Sequence, residues 1–323
     1  MIQGRRLIRH PLAAFALRRL LSLVIILAGL VVATFLMIRL IPGDPALNVA
    51  GLGATGEDIA RVRAQLLLDR PMGEQFEIYI TRMAQGDLGR SFFTRQAVSD
   101  LIAQRIGISL QLAGAALLVV MLVSVPLGIV MGAFTRERRH PRAEVAFTGI
   151  TSVLGSLPEF LAATFLAFVF AVWLRLLPVA GASTLQALIL PALAVSIRPT
   201  AILTRIVRVE TLNTLASDFI RTARGKRIPD RIIYSRHTLP NVVTAALTVG
   251  GLLFAGIIGG AVVVENVFAR PGLGSSLVQA VLVRDYPVVQ GVVLVLGVIV
   301  VVVNATVDIT LAFIDPRTAA GKV

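Results

Sequence analysis

Two ionisable side chains, Glu159 and Arg198, lie deep within apolar runs of the sequence. At 1.5 Å per residue, both fall near the centre of a bilayer if those runs cross a membrane as helices. A charge at that depth costs roughly 2.5–3.5 kcal/mol on insertion scales, so the two are expected to pair or to face a water-filled cavity. They are candidates for lining a polar pathway; the alternative is an ion pair that only fixes helix packing.

A second candidate site is strongly basic and lies between two apolar runs. Residues 205–236 hold eight Lys or Arg against three acidic residues. Asp218 suits the N-terminus of a helix that would run over 218–228, and Phe219, Ile220 and Ala223 would share one of its faces. An apolar face on a charged helix favours docking into the groove of a partner protein. The alternative is a helix that lies on anionic lipid.

Signatures of bond chemistry are missing from the sequence. There is no cysteine, which excludes disulfides and thiol catalysis, and the three histidines are far apart. No G-x-x-x-x-G-K-[ST] occurs, so a P-loop is excluded. Gly51-x-Gly53-x-x-Gly56 matches the dinucleotide fingerprint, but an apolar span precedes it instead of a strand, so we interpret it as a loop. The sequence predicts no catalytic residue, no metal site and no cofactor on this chain.

Membrane helices must position these residues. Of the 323 residues, 56% are hydrophobic and 15% charged, whereas globular domains are about a quarter charged. A hydrocarbon core takes about 20 apolar residues to cross. Runs of that length lie near 18–40, 107–134, 146–174, 186–207, 241–264 and 288–313. Most of the net charge of +13 falls in short segments between these runs, which is typical of membrane topology rather than of nucleic-acid binding.

The distribution of arginines predicts that both termini are cytoplasmic, because basic residues collect in cytoplasmic loops. The predicted organisation is an N-terminal extension (1–17), a first span (18–40), an extracytoplasmic cap (41–105), a core of five spans (106–313) with a cytoplasmic loop at 208–240, and a tail (314–323). Within the cap, short helices are expected near 57–68 and 72–85. The alternative for the cap is a solvated linker.

Small residues recur at helical spacing within the spans, at Gly128/Gly132 and at Gly256/Gly260. Such pairs let two helices approach closely. Close packing is the expected role of both pairs, and an interface that slides or rocks is the alternative.

The basic loop also carries a family resemblance. Arg221-Thr-Ala-Arg-Gly-Lys-Arg227, nine further residues and His237-x-Leu239-Pro240 are similar to the EAA-x-x-x-G-(x9)-I-x-L-P loop of ABC-importer permeases. Stretches similar to the dipeptide/oligopeptide/nickel subfamily, and within it to first-position permeases, are Arg39-Leu-Ile-Pro-Gly-Asp-Pro45, Gly86-Asp-Leu-Gly-Arg-Ser91, Val264-Glu-Asn-Val-Phe-Ala-Arg-Pro-Gly-Leu-Gly274, Arg284-Asp-Tyr-Pro-Val-Val-Gln-Gly291 and Asp315-Pro-Arg317.

The resemblance implies an all-α membrane protein with the type I ABC-importer (MetI-like) permease fold, in the bacterial plasma membrane. The implied partners are a second permease, two ATP-binding subunits or one fused ATPase, and an extracytoplasmic substrate-binding protein; ATP and Mg would be held by the ATPase. The cap and the 265–287 loop would face the binding protein. The residues expected to couple to the ATPase are Asp218, Phe219, Ile220, Arg221, Thr222, Ala223, Arg224, Gly225, Lys226, Arg227, Leu239 and Pro240.

Two positions depart from the family pattern. Arg227 stands where the loop has a glycine, and His237 stands where it has an isoleucine. A glycine would permit a positive φ, so the loop geometry is expected to differ locally at Arg227. The implied function is half of a transmembrane pathway for di- or oligopeptides, glutathione or nickel chelates. An ATP-independent channel or secondary carrier is the alternative.

Overall fold

The computed structural model describes residues 11–37, 44–51, 53–182 and 184–314, and helices dominate these ranges. In chain order the helices are α1 (Pro11–Met37), α2 (Pro45–Ala50), α3 (Gly56–Gln65), α4 (Met72–Ala84), α5 (Val98–Phe134), α6 (Pro141–Ser156), α7 (Glu159–Leu166), α8 (Gln186–Ala216), α9 (Asp218–Gly225), α10 (Asp230–Ile232), α11 (Leu239–Val267), α12 (Leu273–Leu282) and α13 (Tyr286–Ile314). Within the described ranges, α1, α5, α8, α11 and α13 are long and apolar enough to cross a membrane.

The third expected span, 146–174, is not one continuous helix. It is divided into α6 and α7, whose axes differ by 97°, and α7 continues as a π-helix over Ala167–Trp173. Pro158 lies at the break and immediately precedes α7. Because proline disfavours the helical conformation in the residue before it, Pro158 accounts for the ψ of 122° at Leu157, where the helix ends.

The most extensive helix contact joins α5 to α8, and glycine makes it possible. A Cβ at Gly128 would stand 2.3 Å from Val207 Cγ1, and one at Gly132 would stand 2.7 Å from Thr211 Cβ. The expected packing role of this pair is therefore confirmed. In the second pair, a Cβ at Gly260 would stand 3.1 Å from Glu159 Cγ, whereas a Cβ at Gly256 would meet no atom of the described residues within 4 Å. The packing role expected of Gly256 is wrong within this chain.

The bundle has two chemically distinct ends. We call the end that carries residues 44–97 and α12 the cap side, and the end that carries residues 135–140 and 217–238 the loop side. Tyr79 Oη of α4 lies 3.0 Å from Thr34 Oγ1 of α1, and the Gln290 amide donates to the Thr34 carbonyl at 2.7 Å. The first contact attaches the cap to α1 and the second joins α1 to α13, and the cap is a folded unit rather than a solvated linker.

Element boundaries differ from the sequence prediction at several helix ends. The second span begins at Val98 instead of 107, so the cap ends before residue 105, and the fourth span continues to Ala216 instead of 207. Helices α2 and α12 were not expected. The first span, predicted at 18–40, is described only as far as Met37, and the predicted extension, tail and Asp315-Pro-Arg317 motif lie largely or wholly outside the described residues.

Candidate functional site

The short helix α9 is fixed to its own chain by one face. Ile220 is fully buried and Ala223 is 6% exposed, and both pack with Leu215 and Ile233. Phe219 is 49% exposed. The prediction that Ile220 and Ala223 share an outward apolar face with Phe219 is therefore wrong, because their side chains anchor the helix instead. The outward face consists of Phe219 and its polar neighbours.

These polar neighbours are exposed and charged. Arg221 and Asp218 form an ion pair of 3.3 Å in which both side chains are more than three-quarters exposed. Such pairs contribute little to stability, so both groups remain available to a partner. Thr222, Gly225 and Lys226 are also exposed. Arg224 is half-buried and lies 3.9 Å from Asp230 across the turn that follows α9.

Arg227 adopts the conformation that the family's glycine would provide. Its φ is +57°, and it follows the helix in a Schellman arrangement. The Arg227 N–H donates to the Arg224 carbonyl at 2.8 Å, and the Ile228 N–H donates to the Ala223 carbonyl at 3.2 Å. Ile228 packs on the cluster that holds Ile220. The local difference expected at Arg227 is thus wrong for the backbone, since arginine accepts the left-handed conformation here.

The return from the loop leads directly into a membrane helix. Residues Ile233–Thr238 form a π-helix that continues as α11, and Leu239 and Pro240 occupy the first turn of α11 with both residues exposed. At the other end of the loop, Arg208 donates to Glu144 Oε1 at 2.6 Å and to Thr135 Oγ1 at 3.0 Å. Arg208 therefore joins the end of α8 to α6 and to the residue that follows α5, and α9 packs on Leu215 at the same end of α8.

Glu159 and Arg198 meet within the membrane-spanning region. Arg198 Nη1 donates to Glu159 Oε1 at 3.2 Å. Glu159 is the first residue of α7, where the helix dipole favours a carboxylate, and its Cγ lies against Gly260 of α11. The Arg198 side chain is 52% exposed and that of Glu159 is 24% exposed. The pair thus joins α7, α8 and α11 and keeps one side open.

Sequence reasoning missed two buried carboxylates on the cap side. Glu265, at the end of α11, accepts from Ser109 Oγ at 2.6 Å, from the Gly274 N–H at 2.8 Å and from the Ser275 N–H at 3.2 Å. It therefore satisfies free N–H groups at the start of α12. A Cβ at Gly272 would stand 2.3 Å from its Oε2. This contact explains a glycine in the Val264–Gly274 motif, which sequence spacing alone does not explain.

The second carboxylate, Asp285, joins the cap to the core. It accepts a hydrogen bond from Ser91 Oγ and another from the Phe92 N–H at 3.1 Å. Arg270 is also fully buried and donates to the Gly181 and Ala187 carbonyls at 3.1 Å each. The charged groups of the 265–287 loop named here thus point inward. Among the residues that loop exposes are Val281, Leu282 and Val283.

The chemistry available to this arrangement is ion pairing, helix docking and helix movement. Within the described ranges, no three His, Asp or Glu side chains are grouped as ligands for a metal ion. The ionisable groups that come together do so as pairs or as caps of helices. Fold and site together define a class of protein: a helical membrane permease with a folded cap at one end and a short exposed helix at the other.

Comparison with known families identifies the class more closely. A model described as the binding-protein-dependent transport system inner membrane component matches residues 124–320, and a model of the N-terminal part of such membrane components matches residues 12–113. The chain belongs to this family of ABC-importer permeases, and its fold is the type I importer fold. It is a multi-pass inner-membrane protein.

Curated relatives cover nearly the whole chain. A putative peptide transport system permease of Brucella suis biovar 1 (strain 1330) is 37% identical over 314 residues, which are 95% of this chain and 99% of that protein. A glutathione transport system permease of Salmonella typhimurium (strain LT2) is 38% identical over 304 residues, which are 94% of this chain and 97% of that protein. The matched lengths therefore leave out only about one twentieth of this chain.

Proposed function

We propose that this chain forms half of the transmembrane pathway of an importer for short peptides or related small solutes. The similarity to permeases named for peptides and for glutathione supports this class of cargo. The proposed assembly contains a second, homologous permease, two ATP-binding subunits or one fused ATPase, and an extracytoplasmic binding protein. ATP and Mg are bound by the ATPase, and this chain acts as a transport subunit without a catalytic site.

The observation that carries the coupling proposal is the division of α9 into two faces. Ile220 and Ala223 hold the helix on its own chain, and this leaves Phe219 exposed beside Arg221 and Thr222. A helix that must transmit force has to be bound firmly on both sides. Moving a gate from 1:99 to 99:1 takes about 5.5 kcal/mol of differential binding, so the inner face must resist that load while the outer face holds the ATPase.

The coupling proposal is tested with Phe219→Asp. The substitution places a charge in the proposed docking contact, but it leaves the anchoring face of α9 untouched. We expect normal membrane insertion, loss of uptake and loss of ATPase co-purification. Phe93→Asp is the matched control, because Phe93 is 74% exposed on the cap side, and this variant is expected to retain the ATPase. Retention of the ATPase by Phe219→Asp, or equal loss in both variants, contradicts the docking role.

We further propose that the Glu159–Arg198 pair lines the pathway. The pair lies at the junction of α7, α8 and α11, and it is open on one side. At Gly256, four residues before Gly260 on α11, an added Cβ would likewise meet no atom of the described part of the chain within 4 Å. The open side of the pair thus carries a charged group and a small residue. Such a surface suits contact with the second permease across a polar pathway. A role confined to helix packing is the alternative. Uptake by a variant that replaces both Glu159 and Arg198 distinguishes the two roles.

A further inference from the structure

On the cap side, a cavity of about 610 Å³ lies between the cap and the ends of two membrane helices. Its volume falls within the range of about 300–1,000 Å³ that is typical of ligand sites. Phe35 of α1 and Gln290 of α13 form part of its wall, and the cap supplies Tyr79 and Phe92. The cavity is separate from the Glu159–Arg198 pair, which lies on α7 and α8.

Three guanidinium groups line this cavity, and none is neutralised by its neighbours. Within the described ranges, the side chains of Arg82, Arg90 and Arg95 form no ion pair and no side-chain hydrogen bond, whereas nine arginine–carboxylate ion pairs are formed by other arginines. One carboxylate, that of Asp87, also lines the cavity and accepts from the Gly89 N–H at 2.9 Å. Three positive groups and one negative group leave the lining with an excess of two positive charges.

The cavity lies at the boundary between membrane and water. Phe35 is within the apolar window Leu20–Met37, and Gln290 and Gly291 are near the start of the apolar window Tyr286–Leu311. The adjacent residue Leu36 is exposed, and so are Val32 and Ile25, which precede it in α1. This exposed apolar side of α1 is available for contact with lipid. An occupant of the cavity is therefore in reach of both lipid and the three arginines.

We propose that this cavity binds the headgroup of an anionic phospholipid, with its phosphate on Arg82, Arg90 and Arg95 and its apolar part against Phe35 and the α1 surface. Arginine binds phosphate oxygens in a fixed, forked geometry, and basic clusters beside membrane helices are typical sites for anionic lipids. The site depends on the position of the cavity at one membrane boundary. It does not depend on the direction of transport or on the proposed cargo.

The proposal is tested by native mass spectrometry of the full chain, purified in detergent with the subunits that accompany it. The preparation is titrated with phosphatidylglycerol and, separately, with phosphatidylcholine. Wild type is expected to retain phosphatidylglycerol selectively. Each arginine near a charged lipid contributes about a fivefold change in affinity, so Arg82→Gln, Arg90→Gln and Arg95→Gln together are expected to weaken retention about 100-fold.

Two control variants make the result specific. Replacing all three arginines by lysine keeps the charge, and it is expected to preserve most of the retention. The triple variant Arg61→Gln, Arg63→Gln and Arg70→Gln removes the same charge from ion-paired positions of the cap, and it is expected to bind lipid as wild type does. Equal losses in both glutamine variants, or no loss in the first, would overturn the site.

A competition arm identifies the source of the anion. Inorganic phosphate or a soluble tripeptide is added at millimolar concentration to the lipid-loaded protein, and neither is expected to displace phosphatidylglycerol. Displacement by phosphate would assign the cavity to a soluble anion, and displacement by the tripeptide would assign it to cargo. Either result overturns the lipid proposal. Single variants at Arg82, Arg90 and Arg95, each expected to show about a fivefold effect, cover the case in which the triple variant does not fold.

Discussion

At the scale of single residues, the backbone of the basic loop depends on a left-handed turn at Arg227. A left-handed conformation costs an L-residue roughly 1–2 kcal/mol, and glycine avoids this cost but loses about 0.5–1 kcal/mol through chain entropy. The φ of +57° at Arg227 therefore stores strain that a glycine would release. The positive charge gained by arginine has no ion-pair partner within the described ranges.

We expect Arg227→Gly to keep uptake and to raise the thermal unfolding midpoint of the purified complex slightly. Lys226→Gly is the control, because Lys226 has φ −79°, where glycine brings only its entropic cost of about 0.5–1 kcal/mol. The two variants should therefore differ in stability by about 1–2 kcal/mol in favour of Arg227→Gly. If both midpoints move in the same direction by the same amount, the strain assigned to Arg227 is absent.

The membrane ion pair gives a second prediction at this scale. Arg198→Gln leaves the less exposed Glu159 carboxylate without its partner, whereas Glu159→Gln leaves an arginine that can turn to the open side. We expect Arg198→Gln to lower the thermal midpoint more, with a coupling free energy of about 1 kcal/mol in the double-mutant cycle. For a pathway role, the double variant should regain stability but still transport slowly. Wild-type uptake by the double variant would confine the pair to packing.

At the scale of elements, hydropathy located the spans but did not indicate where the axis of a span bends. The run 146–174 is apolar throughout, so composition predicts one helix, and Pro158 was the available signal for the 97° break. The sequence also predicted the charged loop correctly, but it did not predict that Phe219 is exposed while Ile220 is buried. The exposure of these two neighbours differs because Ile220 packs on Leu215 and Ile233. These partners lie in other helical segments, so the local sequence pattern does not reveal them. The inward direction of Glu265 and Asp285 depends on similarly distant partners.

Two glycines of similar sequence context are expected to respond oppositely to alanine. At Gly128 the added methyl would stand 2.3 Å from Val207 Cγ1 and 2.9 Å from the Thr204 carbonyl, so α5 and α8 must separate. Overpacking of this kind costs about 1–3 kcal/mol. At Gly256 the methyl meets open space, and helix propensity favours alanine by about 1 kcal/mol. Thermal midpoints of the two variants measure the difference, and equal losses would show that Gly256 is packed against another subunit.

At the scale of the whole molecule, the membrane spans separate two surfaces, the cap side and the loop side, for which we propose different partners. The cap is held to the core through Asp285 and Thr34 at one end, and α9 is held through Ile220 and Ala223 at the other. In the proposed assembly, a signal between the binding protein and the ATPase must therefore pass along the spans. The continuous helices α8 and α11 connect the two ends directly, and the ion pair joins α8 to the broken span α6–α7 between them.

The last prediction concerns the orientation of the chain in the membrane. The loop side carries the basic segments, and the proposed orientation places it in the cytoplasm. Because the chain has no cysteine, one introduced thiol reports one position without background. Phe93→Cys, at a site 74% exposed on the cap side, should react with a membrane-impermeant maleimide in intact cells or spheroplasts. Arg139→Cys, at a side chain 70% exposed on the loop side, should react only after permeabilisation. The opposite labelling pattern would place α9 outside the cell, where no ATPase could dock on it.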